Sequence, residues 1–178
     1  MENKEVMGFV YKEVFLHSFE VIGFTKITQS GGEVYKEIRN GEKWELLKKM
    51  NEKDKTIYGI ASMDKECPEH FYRYTIGIKK DDGYSLNGEY KNNLFLYQVK
   101  ESNWIIFLIN FSTDYEKIWR NNPYKMLNKI GYDFNSNVGI HDHIDVFKED
   151  YDGHEMEFWM PIKKEGSSGI IVGKREKC

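Results

Sequence analysis

The order of apolar and polar positions along this chain is played twice. FEVIGFTKITQSGG, residues 19 to 32, alternates β-branched and aromatic residues with polar ones before running into Ser and Gly, the pattern of a strand and a turn. EVYKEIRNGEKWELLKKM follows, with Trp44, Leu47 and Met50 at helical spacing and Gly41 interrupting the run. TIYGIASMD and HFYRYTIGIKK then read as two strands separated by the polar turn KECPE.

From residue 103 the order recurs. NWIIFLINF reads as a strand, and STDYEKIWRNNPYKMLNKIG as a helix with its N-cap at Ser112 or Thr113, a break at Pro123 and an end at Gly131. GIHDHIDVFKED and HEMEFWMPIKK close as two strands across the turn YDG. The pattern predicts an α+β fold in which duplicated strand-helix-strand-strand units build a pseudo-twofold antiparallel sheet with a central ligand cleft. The halves are 15–80 and 94–164; the Gly/Asn/Asp-rich linker 81–93 is expected to be an exposed loop, 1–14 an N-terminal extension and 165–178 a loosely held tail.

Period two splits the last strand into rows. Met156, Phe158, Met160 and Ile162 form a core row; Glu157, Trp159 and Pro161 face the other way, where the two halves are expected to leave a cleft. Aligning Gly77 one position past Pro161 matches Tyr74 to Trp159 and Tyr72 to Glu157, which leaves Arg73 in the core-facing row. In HIDVF, Asp145 and Phe147 share a face; Asp145 either joins Glu157 in the cleft or points to solvent near a strand edge. For Glu157 the plain alternative is an exposed strand residue paired with a Lys.

Composition narrows the function. Among the 178 residues 15% are aromatic, more than a small core readily absorbs, and amphipathic rings commonly line pockets. The net charge of -3 comes from mixed charges spread along the chain, so direct nucleic-acid binding is not expected. No apolar run approaches the roughly 20 residues of a membrane helix, and the charged N-terminus is unlike a signal peptide. The two cysteines, Cys67 and Cys178, lie far apart, which argues for a reducing, cytoplasmic setting.

His141, His143 and Asp145 alternate onto one strand face, but the only other nearby candidate ligands are in CPEH, so no metal and no cofactor is expected. GSSGIIVGK has the wrong glycine spacing for a phosphate loop. No Ser or Cys stands in a nucleophile elbow.

The duplicated order, together with FYRYTIG, GYDF, HIDVF and MEFWMPIKK, resembles the GyrI-like small-molecule-binding domain over roughly residues 15 to 164. This module, of SOUL-like fold, is the effector-binding domain of many AraC-type and MerR-type multidrug-sensing regulators and also occurs free-standing. The resemblance implies an aromatic cleft on the pseudo-twofold axis, with an acid that receives lipophilic cations. By position Glu157 and Trp159 match the family's Glu-x-aromatic pattern, and Tyr74 matches the aromatic before its small-Gly pair. Asp145 stands where Glu is usual, Phe147 where Tyr is common, and Ile76 is bulkier than the usual small residue. About a dozen residues precede the first expected strand, too few for a helix-turn-helix, so a free-standing sensor or binder is expected.

The expected ligand is therefore a lipophilic cationic or aromatic small molecule held by Glu157, Trp159, Tyr72, Tyr74, Asp145, Phe147 and Trp104. Two alternatives share the resemblance. One is hydrolysis of reactive cyclopropane-type genotoxins, with Glu157 as general base and Tyr74 as donor. The other is docking to a protein partner, a topoisomerase or a DNA-binding regulator, through the acidic stretch FKEDYDGHE.

Overall fold

The computed structural model describes residues 2–51, 54–63, 67–80, 94–148 and 155–166. The linker 81–93, the turn YDG, most of FKEDYDGHE and the tail beyond Gly166 lie outside them. The stretch read as an N-terminal extension is a hairpin, β1 (Lys4–Val6) and β2 (Phe9–Leu16). It turns at Met7 and Gly8, both at positive φ, the backbone twist that suits a two-residue hairpin.

β3 (Phe19–Thr28), α1 (Gly31–Arg39), α2 (Glu42–Met50), β4 (Thr56–Ser62) and β5 (Tyr72–Lys79) make up the first unit. Ser30 caps α1 by accepting a hydrogen bond from the Glu33 N–H, and the helical run divides at Gly41. After β6 (Phe95–Val99) the second unit follows: β7 (Ser102–Asn110), α3 (Phe111–Arg120), α4 (Pro123–Lys129), the short β8 (Tyr132–Phe134), β9 (Ile140–Lys148) and β10 (Glu155–Lys164). The cap of α3 is Asn110, whose side chain accepts from Ser112 and Thr113; the residues expected to cap are the ones being capped. Pro123 opens α4, and Gly131 (φ 84°) follows its end in the left-handed region that glycine tolerates.

All strands join one antiparallel sheet in the order β1-β2-β7-β10-β9-β4-β5-β3-β6, with β8 on the side of β10. Leaving β1 and β8 aside, this order reads the same from both ends under exchange of the units, with the pseudo-twofold between β9 and β4. Each unit's leading strand crosses over: β2 pairs with β7, and β6, assigned from sequence to the second half, pairs with β3 of the first.

The sheet has two unlike faces. All four helices cover one, α1 and α2 over Ile22, Ile57 and Ile76, and α3 and α4 over Phe107, Phe158 and Met160. The core row expected from β10 lies here. The other face buries Ile60, Trp104, Ile144 and Trp159 with no α-helix over it. It does so by curling. β2 and β3 stand six places apart, about 29 Å in a flat sheet. Only His17 and Ser18 join them, a link that reaches about 11 Å at most. Lys100 and Glu101 join β6 to β7 under the same constraint.

Candidate functional site

A cavity of about 570 Å³ lies on the helix-covered face, over β4, β5 and β9, where α1 and α3 stand apart on either side of the pseudo-twofold. Its walls are rings: Tyr35 from α1, Phe111 and Tyr115 from α3, Tyr72 and Tyr74 from β5, and Phe147 from β9. Tyr35 and Phe147 pack 4.9 Å apart between ring centroids, and Phe111 reaches Phe147 at 6.4 Å.

Two glycines fix the deepest of these rings. A Cβ on Gly31 would stand 2.8 Å from the Tyr74 ring, and one on Gly59 would stand 2.4 Å from its hydroxyl. Between them Tyr74 lies buried, and its hydroxyl donates to Asp145 Oδ2 at 3.1 Å. Tyr72 ties wall to helix by accepting the Gly31 N–H at 2.7 Å.

The floor is charged. Asp145 is 5% exposed. Its Oδ1 accepts from His143 Nε2 at 3.0 Å, and His143 Nδ1 donates to Asp142 Oδ1 at 2.7 Å. Burial opposes a charge on His143, but the Asp145 carboxylate and the hydrogen bonds to Asp142 and Asp145 outweigh it, pushing its pKa up to about 10. The ring is therefore an imidazolium with both N–H groups taken by carboxylates, stacked on Phe158 at 4.1 Å. Burial likewise opposes the charge on Asp142, yet the hydrogen bond from His143 and the charges of both neighbouring histidines hold its carboxyl below the usual range. Tyr74 is pushed well above the ordinary phenol range by burial and by Asp145, so it remains a donor.

Asp142 reaches the same pocket as His143 and Asp145 because the pairing of β9 with β4 is irregular. Ile60 pairs with Ile144 but Ser62 with Ile140, so β9 takes four steps where β4 takes two. Strict alternation would have turned Asp142 to the opposite face.

The structure brings together Tyr72, Tyr74, Asp145 and Phe147, but not Glu157, Trp159 or Trp104. Those three lie on the helix-free face, and the reason is register. Tyr72, Tyr74 and Ile76 share their face with Ala61 and Phe158, whereas Gly77 and Arg73 share the face of Trp159. Matching Tyr74 to Trp159 was a slip of one residue, and in a strand one residue exchanges the faces. Arg73 accordingly does not point at the core under the helices; its guanidinium lies 4.9 Å from the Phe95 ring centre.

Glu157 has the plainer role. It accepts from Lys12 Nζ at 2.7 Å and from Trp159 Nε1 at 2.8 Å. A catalytic pair of Glu157 with Tyr74 is therefore not formed; the carboxylate within reach of Tyr74 is Asp145. Trp104 is fully buried against Trp159. Among the described residues no group of three His, Cys, Asp or Glu side chains is arranged to hold a metal ion, and no helix is long and apolar enough to cross a membrane.

Tyr35, Phe111, Tyr115, Asp142 and His143 were not foreseen as pocket residues. A signal existed for three of them: Tyr35 and Tyr115 each stand fifth in the first helix of their unit, so the duplication itself marks them as partners across the axis, and His143 alternates onto the face of Asp145.

No protein-family model matches the chain, and no curated protein matches it by sequence. Solved structures do match its fold. A putative bacterial transcription regulation protein from Staphylococcus aureus MU50 superposes with a TM-score of 0.61 at 13% identity, over 86% of this chain and 97% of that one. SAV2435, solved bound to tetraphenylphosphonium, gives 0.56 at 14% identity over 86% and 93%. The EcmrR C-terminal domain gives 0.54 at 13% identity over 89% and 99%. The chain thus has the fold of these proteins, in keeping with the GyrI-like fold that its sequence resembles.

Proposed function

We propose that the pocket between α1 and α3 is an effector-binding site for lipophilic cationic or aromatic small molecules. The observation that carries this reading is a buried carboxylate, Asp145, on the floor of an aromatic cavity of about 570 Å³, a size suited to a drug-sized ligand. Asp142 and Asp145 against one imidazolium leave the floor with a net negative charge. Lys36 and Arg39 stand at the mouth, but both are exposed, where water and salt screen them. A cation entering this site gains the carboxylate and roughly 0.5–2 kcal/mol from each ring face it meets. That SAV2435, of the same fold, was solved bound to tetraphenylphosphonium supports the same class of ligand.

Tetraphenylphosphonium is the first probe. It is expected to raise the melting temperature through mass action, more than the neutral triphenylphosphine oxide does. Asp145→Asn is expected to weaken its binding about tenfold, roughly 1.4 kcal/mol. Equal affinity in the wild type and Asp145→Asn would overturn the reading.

The Tyr74–Asp145 contact favours a second reading, slow hydrolysis of a reactive electrophile with Asp145 as base and Tyr74 as hydrogen-bond donor. Product formation that Tyr74→Phe abolishes without loss of ligand binding would decide for it.

A further inference from the structure

The helix-free face carries a second cavity, also about 570 Å³, at the end of the curl where the short β2–β3 link passes. Tyr58 and Trp159 line it edge to face at 5.9 Å, and Phe19 stands 5.8 Å from Tyr58. It is separate from the pocket between the helices, because Tyr58 and Gly59 are consecutive on β4 and so point to opposite sides of the sheet.

Three observations describe what this cavity lacks. Tyr58 is 6% exposed, yet among the described residues its hydroxyl has no hydrogen-bond partner. That hydroxyl is not sealed from solvent, so on the cavity wall it is a donor that an oxygen of an entering ligand can meet. Burial, with the charges of Asp54 and Glu157, raises the Tyr58 pKa and keeps that group an O–H donor. Lys79, exposed at the rim of the cavity, lies over the Phe19 ring at 5.6 Å and has no carboxylate partner among the described residues. Of the other charges nearby, Glu20 pairs with Lys80 at 2.7 Å and Glu157 with Lys12 at 2.7 Å, while the Asp54 carboxylate accepts from the Thr56 hydroxyl at 3.0 Å.

We propose that this cavity is a second binding site, for a planar aromatic anion. Its ring packs on Tyr58, Trp159 and Phe19, one of its oxygens accepts from the Tyr58 hydroxyl, and its charge faces Lys79. The preferred charge is opposite to that proposed for the helix-side pocket, and the two sites share strands but no side chain.

2-Naphthoate is the probe, with 2-naphthylmethylammonium as its isostere of opposite charge; titrations are read by calorimetry and by quenching of Trp159 emission against a Trp159→Phe control. Naphthoate is expected to bind, the ammonium isostere at least tenfold more weakly. Tyr58→Phe, which keeps the ring and the packing, is expected to weaken naphthoate about tenfold, and Lys79→Gln several-fold with a smaller salt dependence. Asp145→Asn and saturating tetraphenylphosphonium are expected to leave naphthoate affinity unchanged, which separates this site from the other. Absence of naphthoate binding, equal binding of the two isosteres, indifference to both Tyr58→Phe and Lys79→Gln, or displacement by tetraphenylphosphonium would each overturn the proposal.

Discussion

The Tyr74 hydroxyl occupies the space that a side chain at position 59 would fill, since a Cβ on Gly59 would stand 2.4 Å from it. The same hydroxyl donates to Asp145, so the missing side chain at Gly59 and the placed phenol on the pocket floor are one arrangement.

Gly59→Ala is therefore expected to push Tyr74 off Asp145. It should cost about 1–3 kcal/mol by overpacking and weaken tetraphenylphosphonium binding. Adding Tyr74→Phe removes the clashing atom, so the double variant should be more stable than Gly59→Ala alone. Denaturant melts of the four combinations check this, and additive losses would refute it.

His143 gives the protein a pH signature. Its folded pKa of about 10 lies above the ordinary 6.5, so the stability it contributes is complete below about 6.5 and is lost as the pH rises towards 10. Asp142 is shifted downward, so its contribution is present above the ordinary 3.8 and is lost as the pH falls. Melting temperature should decline from pH 6.5 to pH 10. His143→Gln should flatten that decline and, by leaving the buried Asp145 and the partly buried Asp142 without their cation, destabilise by about 3–5 kcal/mol near neutrality. A flat wild-type profile over this range would contradict the buried imidazolium.

Glu157 should behave as a structural acid. Its pair with Lys12 is about three-quarters buried, so Glu157→Gln is expected to cost about 1 kcal/mol of stability. Its affinity for tetraphenylphosphonium should match the wild type, because the sheet separates Glu157 from the helix-side pocket. A loss comparable to that of Asp145→Asn would return the acid role to Glu157.

Much of the architecture was legible because it is local. Period-two rows in β10, the Pro123 break and the Gly131 stop all follow from single residues and their neighbours. The leading strands were harder to read: Phe9–Leu16 alternates, but nothing in it indicates that its partner is β7. The site was half legible. Tyr72, Tyr74, Asp145 and Phe147 do line one pocket, yet Glu157 and Trp159 were grouped with them through one residue of register, a quantity set by cross-strand pairing. Asp142 depended on an irregularity between β4 and β9 that alternation cannot express, whereas His143 shares the face of Asp145 by alternation.

The crossing of the leading strands also governs how this protein is made. Val14 of β2 pairs with Trp104 of β7, so until β7 leaves the ribosome β2 has only β1 on one side and its other edge stays open. The outer edge of β3 waits in the same way for β6. Neither unit completes its sheet alone, so final assembly must follow synthesis of the second, and until then a nascent chain carries open strand edges for chaperones to shield.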